Sequence, residues 1–563
     1  MAQFATLYSM KRLSAFLLLM AGFVLSSCGP LSGSSDGGDG TPFEGAKNVS
    51  TYEVEITTVD YEIGIGFNKD GQRAAKVRDN STGELLATLV VSETKKGSNS
   101  VYTGTKFSIE IEPFVSGQDA TVAPLKFSAL ITLPKVSVSA NYFETDIPTG
   151  VKASVFNCSG KEGKSPFAGG SGAELDPYLI CSLNQLKNIS ATYRLNAYKL
   201  MANLAFPNSY NSPDGWTPIG NTTSPFEGSF DGSLRSIDNL QINSSEQKMG
   251  LFGVVKNGEV FDLKVLNATV ESSGRVGVLV GQVVNSTITN VSSSGTVTST
   301  GLYVGGLIGH IDGDDGICNT QVRNSSSSTN VFVGTGGAGG LVGVNECIYS
   351  PSIIKKSFAS GNVSAINSYS ALACGGLVGY SRGDIARSYA TGDISCEDYV
   401  GGLVGWSHNG DFSNVYATGN VTATEGNGAA LIGLLANSTT IRNSYASGTV
   451  TASETASGLA TGDGANGKLR FFNSFSVSMM PGTGIKSGLV SDPGANEITM
   501  TNSKWLNVGG DAALQCVEGS ASTDGCTAAS SASEFYGSSS DVTSVWDYDN
   551  IWKSNNGAFP TLQ

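Results

Sequence analysis

The chain has little with which to do chemistry. Its 563 residues hold two histidines, His310 and His408. No His-Glu-x-x-His occurs, so the zinc-peptidase helix motif is excluded. Neither histidine has a serine or cysteine partner in a recognisable catalytic motif. No Cys-x-x-Cys occurs, which argues against a zinc site built on cysteine. Positive charge is scarce as well. Lys and Arg total 34 against 48 Asp and Glu, a net charge of −14. Nucleic acid is therefore not an expected partner, because phosphate backbones need basic patches. The N-terminal apolar run, Ala15 to Leu25, is too short to span a bilayer.

What the chain has instead is glycine. Its 72 glycines are about twice the usual share, with no collagen period, so they belong to strand corners and loops. One phrase organises them. It reads Gly250-Leu251-Phe252-Gly253, Gly277-Val278-Leu279-Val280-Gly281 and Gly305-Gly306-Leu307-Ile308-Gly309. It returns around Leu341, Leu377 and Leu403, and in degraded form around Leu431, Leu459 and Leu489. Successive leucines are 28, 28, 34, 36, 26, 28, 28 and 30 residues apart. A near-constant period of this size means a repeat architecture.

Each period holds two further short phrases. One is apolar-x-Asn, often running into Ser-Tyr-Ala, as at Ile441-Arg442-Asn443-Ser444-Tyr445-Ala446. The other is Gly-x-apolar, as at Gly295-Thr296-Val297 and Gly419-Asn420-Val421. Each phrase is too short for a helix, rich in β-branched or aromatic residues, and bounded by turn formers. Three strands per period predict a triangular coil, and stacked coils share one continuous core. The expected fold is all-β: a parallel, right-handed β-helix over 158–505. Asn290, Asn324, Asn414, Asn443 and Asn473 are expected to form an internal amide ladder. Tyr389, Tyr416 and Tyr445 recur in register as a stacked column, which if exposed would suit a glycan ring. One short helix is plausible in 185–200, capping the first coil. Trp216, Phe226 and Phe230 are expected to plug that end, and Trp505, Trp546 and Trp552 to serve packing.

The Gly-Gly-Leu-Val-Gly phrase resembles the GLUG repeat of bacterial surface proteins. So do the entry sequence Gly172-Ala173-Glu174-Leu175-Asp176-Pro177-Tyr178-Leu179-Ile180 and the bridge Phe226-Glu227-Gly228-Ser229-Phe230-Asp231-Gly232. The resemblance covers roughly 165–505. It implies a β-helical extracellular domain of the kind found in adhesins, and no single activity.

The flanks agree with export. Lys11-Arg12, the apolar run and Leu25-Ser26-Ser27-Cys28 look like a lipoprotein signal peptide over 1–28, with Met10 as a candidate start. That likeness implies acylation of Cys28, including a palmitate-type chain, and anchoring to the outer membrane at the cell surface. Residues 29–48 are Gly/Ser-rich and read as a flexible tether. Residues 49–157 carry alternating strand patterns and are expected to form an Ig-like β-sandwich. Residues 506–563 lose the period and resemble a closing C-terminal cap.

Removing Cys28 leaves eight cysteines, for which 105 pairings exist. Coil alignment pairs Cys318 with Cys347 and Cys374 with Cys396; Cys516 and Cys526 flank a small loop, and Cys158 and Cys181 remain to tie the domain entry. Both histidines are read as surface-loop residues near coil corners. Asp312, Asp314 and Asp315 sit in an acid-rich loop and are weak Ca²⁺ candidates. No other cofactor is expected. The functional expectation is a non-enzymatic surface lipoprotein, acting in adhesion or envelope interaction on a glycan or protein ligand. The loops 310–321 and 344–353 are the candidate contacts. The alternatives are a polysaccharide lyase or hydrolase on the same scaffold, and a structural envelope protein.

Overall fold

The structure is a computed structural model. It describes residues 158–563 except the short stretches 175–176, 190–191, 208–214, 314–317, 348–351, 367–372, 463–467, 483, 492–496, 507, 509–513, 519–524 and 539–540. Before residue 158 it describes the backbone of seven strands between 46 and 145. The expected signal peptide, Cys28, the tether up to residue 45, and Asp314 and Asp315 lie outside the described residues. The chain divides into two compact units, Met1–Asn157 and Cys158–Gln563. Among the described residues no helix is long and apolar enough to cross a membrane.

In the first unit, β1 (Ala46–Ile56), β2 (Tyr61–Phe67), β3 (Arg73–Asp79), β4 (Leu85–Val90), β5 (Thr105–Ile111), β6 (Leu125–Thr132) and β7 (Lys135–Thr145) pair antiparallel in the order β1-β7-β6-β5-β4-β3-β2. Strands β2 to β7 form a meander, and β1 closes onto β7.

The second unit is a parallel β-helix of about ten coils. Every one of the nine phrase leucines is fully buried. They stack through the backbone as well as the side chain. Leu307 N donates to Leu341 O at 3.0 Å, Leu341 N to Leu377 O at 2.9 Å, and Leu377 N to Leu403 O at 2.8 Å. The following residue makes a second column, Phe252, Val280, Ile308, Val342, Val378, Val404 and Ile432, paired coil to coil. A third apolar column is Val260, Ile288, Val322, Ile354, Ile385, Phe412, Ile441 and Phe471. A fourth is Val270, Val297, Val331, Val363, Ile394, Val421 and Val450. All of these side chains are buried.

The doubled glycine has a steric cause. A Cβ on Gly376 would lie 2.1 Å from Gly402 O and 2.8 Å from the Ala390 Cβ. Gly402 faces the Ala430 backbone of the next coil in the same way, with Ala430 O at 2.0 Å and Ala417 Cβ at 3.0 Å. The Ala of Ser-Tyr-Ala thus packs across the coil against the second Gly of Gly-Gly-Leu. A larger residue at either place forces the two walls apart.

The Asn column marks a left-handed corner. Asp262, Asn290, Asn324, Lys356, Arg387, Asn414, Asn443, Asn473 and Asn502 all have φ between 48° and 56°. Asn and Asp tolerate this region better than other non-glycine residues. The amide ladder is partial. Asn502 donates to Asn473 at 3.2 Å, Asn473 to Asn443 at 3.1 Å, and Asn290 to Asp262 at 2.8 Å. Lys356 and Arg387 interrupt it because the corner selects a backbone conformation, and an amide is only one way of meeting it.

A longer ladder at this corner is serine, interrupted at Val415. Ser357 N donates to Ser388 Oγ at 3.2 Å, and Ser325 N to Ser357 Oγ at 3.2 Å. Each hydroxyl also donates back to the carbonyl two residues earlier, as Ser388 Oγ to Ala386 O at 2.8 Å. Ser388 is fully buried. Ser388→Ala leaves the Ser357 N–H unpaired, which costs about 1–3 kcal/mol. A chemical-denaturation midpoint unchanged from wild type would show that the ladder carries no stability.

The two ends close differently. At the first coil, a helix (Leu183–Lys187) buries Gln185, whose Oε1 accepts from Cys181 N at 2.7 Å and whose Nε2 donates to Lys161 O at 2.8 Å. The rest of the span expected as helix includes a strand, Ala197–Leu200, in register with Ser229–Asp231. Trp216, Phe226 and Phe230 are buried there, with Phe226 and Phe252 rings 5.1 Å apart. At the far end Trp505 takes the register position that Ala359, Ala390, Ala417 and Ala446 hold in earlier coils. Its indole fills the space beside Gly488.

The C-terminal segment folds back along the side of the stack. There Phe358, Tyr389, Tyr416, Tyr445, Phe475 and Phe535 form one aromatic column, with neighbouring rings 4.2–5.0 Å apart and within 10° of parallel. Trp546, Trp552 and Phe559 lie over its middle. Burial raises the Tyr416 and Tyr445 phenols above their ordinary range.

Candidate functional site

The residue directly after the phrase's last glycine is the least repetitive position of the coil. It is Val254, Gln282, His310, Val344, Tyr380, Trp406 and Leu434 in successive coils. These side chains lie outside the main apolar core. The preceding glycine keeps the strand close to its neighbour: a Cβ on Gly309 would lie 2.5 Å from Val276 N. The column therefore forms a narrow strip along the coils, bordered by corner residues. Two of these are tyrosines with positive φ, Tyr303 (68°) and Tyr399 (48°).

The strip carries one connected polar network. His310 is 1% exposed, and its Nε2 lies 3.0 Å from Glu346 Oε2. Its Nδ1 lies 3.9 Å from Asp312 Oδ2 and has no hydrogen-bond partner. Asp312 Oδ2 accepts from Gln282 Nε2 at 2.7 Å, and Asp312 Oδ1 from Gly313 N at 2.9 Å. The Tyr303 ring stands 4.8 Å from the His310 ring, and the Arg275 guanidinium lies 5.3 Å over Tyr303. Further along, Arg382 Nε donates to Tyr380 Oη at 2.6 Å. Tyr380 meets Trp406 edge to face at 5.3 Å, and Tyr399 meets it at 5.8 Å. His408 Nε2 lies 2.7 Å from Asn437 Nδ2.

Electrostatics tie the network across coils. The hydrogen bond from His310 holds the Glu346 carboxyl below its ordinary value, with Arg275 and Arg382 adding to the effect against partial burial. Burial raises the Tyr303 phenol, and Glu346 reinforces that rise. The folded carboxyl sits below the unfolded value near 4.5, so its contribution is complete above that pH and is lost as pH falls through the folded value. Glu346→Gln is expected to lower the melting temperature at neutral pH and to flatten its decline on acidification. Parallel acid-side curves for the two proteins would contradict this.

These two histidines correct the reading as surface-loop residues. His310 lies in the strand Ile308–Asp312 and His408 in the strand Val404–Ala417. The available signal was positional: both lie in the segment that directly follows the phrase, where the strand continues. Among the described residues no group of three or more His, Cys, Asp and Glu side chains is disposed to hold a metal ion. Asp312 spends its oxygens on Gln282 and Gly313.

Among the described residues four disulfides are present. Cys158–Cys181 ties the domain entry, Cys318–Cys347 and Cys374–Cys396 join neighbouring coils, and Cys516–Cys526 lies in the last. Cys318–Cys347 flanks the His310–Glu346 pair and fixes the arc that carries it.

No acid–base pair of the glycosidase kind stands out on the strip. A general acid needs a raised carboxyl pKa, and that of Glu346 is lowered. Burial does raise the Asp384 carboxyl, with Asp411 one coil away. Its Oδ1, however, accepts from Asp411 N at 3.0 Å. Asn330, Asn362, Asp393 and Asn420 make the same bond to the next coil elsewhere, so this is a structural ladder.

Comparison with known proteins agrees with the fold. The GLUG motif matches residues 272–298 and 398–422. The chain is similar to a protein named Halomucin from Haloquadratum walsbyi, 37% identical over 172 residues, which is 29% of this chain and 2% of that protein. It is also similar to a putative Gly-rich membrane protein from Evansella cellulosilytica, 32% identical over 136 residues, 23% of this chain and 16% of that protein. The chain thus spans a small part of either relative. It carries GLUG motifs on a parallel β-helix.

Proposed function

We propose that this is a non-enzymatic surface protein in which the β-helix presents a binding strip for adhesion or cell-envelope interaction. The observation that carries the reading is the combination of a stapled, repeat-built stalk with one chemically diverse strip and no paired acid and base upon it. GLUG motifs and a relative named as a membrane protein support the surface setting. Anchoring through acylated Cys28 at the outer membrane belongs to the same proposal and rests on Leu25-Ser26-Ser27-Cys28.

The test is binding of the detergent-solubilised full chain to arrays of glycans and matrix proteins, with and without Ca²⁺. Saturable binding supports the reading. Turnover of a polysaccharide would replace it with an enzyme on the same scaffold, and failure to bind anything would favour a purely structural envelope protein. Labelling with palmitate, abolished by Cys28→Ala, tests the anchor.

A further inference from the structure

We propose that the strip from Tyr303 to Trp406 is a track for a neutral, hydroxyl-rich glycan lying across the coils. This rests on the surface-binding reading above and names its ligand class and site. Tryptophan placement is the first argument. Trp216, Trp505, Trp546 and Trp552 are all buried in packing roles, between 0% and 8% exposed. Trp406 is the partly exposed tryptophan, and it stands on the strip with Tyr380 and Tyr399. Aromatic rings offer a flat apolar face, and the C–H face of a sugar ring is its natural partner.

Unspent hydrogen-bonding capacity is the second argument. With Glu346 ionised, His310 Nε2 donates to it, which leaves Nδ1 as the other polar atom of the ring. That atom is buried without a hydrogen-bond partner, 3.9 Å from Asp312 Oδ2. A hydroxyl both donates and accepts, so it can pair with Nδ1 whichever role that nitrogen takes. Trp406 Nε1 is a donor in the same condition. Each site is flanked by a half-exposed tyrosine, Tyr303 beside His310 and Tyr399 beside Trp406.

Charge selects a neutral ligand. Arg275 and Arg382 act on the same Glu346 carboxylate, so positive and negative groups offset one another along the strip. A polyanion would meet Glu346, Asp312 and a chain of net charge −14. An apolar peptide would find no continuous apolar surface, since Val344 and Leu434 on this column are 2% and 6% exposed.

The experiment is a titration of the solubilised full chain with neutral and N-acetylated oligosaccharides, read by tryptophan fluorescence and by array binding. A polyuronate serves as the acidic comparison. Binding is expected to perturb tryptophan emission, to be insensitive to salt, and to weaken about tenfold or more in Trp406→Ala and Tyr380→Ala. Phe332→Ala, on a different strand, is expected to bind as wild type. Trp406→Phe keeps an apolar ring without the indole N–H and guards against misfolding: it is expected to bind more tightly than Trp406→Ala, less tightly than wild type, and to lose the emission change. Equal glycan binding by wild type and by the folded strip variants would overturn the site while leaving glycan binding intact. Binding only to polyuronate or matrix protein would overturn the ligand class but not the surface-binding reading. Binding to nothing overturns both.

Discussion

Leu377→Ala is expected to lower stability by about 3–4 kcal/mol, within the range for burying a cavity where a leucine stood. Leu377 is fully buried, and its peptide group bonds to Leu341 above and Leu403 below. The backbone cannot collapse into the space, because Gly376 already lies against Gly402 O and the Ala390 side chain. In a stack where each coil contacts its neighbours, the damage should be local at first. Amide exchange is expected to quicken around Val342–Val344 and Val404–Trp406, while amides near Tyr198 and Phe230 keep their protection. Uniform loss of protection along the whole β-helix would mean that it unfolds as one unit and that the nearest-neighbour description is wrong.

Most of this fold was legible because a β-helix writes its core into the sequence as a period. A leucine every 26–36 residues reports three things at once: a buried column, a coil length, and the register of neighbours. Two disulfides, Cys318–Cys347 and Cys374–Cys396, followed from the same alignment, because neighbouring coils bring those cysteines together. The serine ladder was harder to see. Serine between a polar residue and an aromatic one looks like a solvent-facing filler, and only the inward turn after a left-handed corner puts Ser357 and Ser388 inside. The strip was illegible for the opposite reason. Its column is the position that does not repeat: Gln282, His310, Val344, Tyr380 and Trp406 share no chemistry. A search for periodicity passes over it, although variation immediately after an otherwise constant phrase is the signature of a position whose surroundings differ from coil to coil. Lys356 and Arg387 illustrate a further limit: the corner demands a backbone angle, and the sequence satisfies it with residues that no ladder would predict.

Trp552→Ala is expected to have the other large effect, about 3–5 kcal/mol for removing a buried tryptophan, and to release the C-terminal segment from the stack. The segment is held by few anchors. Trp552 Nε1 donates to Asn414 Oδ1 at 3.0 Å, Trp546 Nε1 to Asn473 O at 3.0 Å, and Tyr445 Oη to Pro560 O at 3.0 Å. Trp546 and Trp552 pack on each other at 4.4 Å and together cover Tyr416, Tyr445 and Phe475. Alkaline titration reads the release directly. Burial keeps the Tyr445 phenol well above 10.0 in the folded chain, so this tyrosine stabilises the fold below that pH and the contribution is lost as pH rises beyond it. With the tryptophan removed, water reaches the column, and Tyr416 and Tyr445 should ionise at lower pH than in wild type, seen as tyrosinate absorbance before any loss of β-structure. Protease cleavage within 531–563 should quicken in parallel. If instead the tyrosines of the variant titrate only as the whole β-helix unfolds, then the aromatic column is closed by its own stacking. The segment would then be a passenger on the stack, with no part in shielding it.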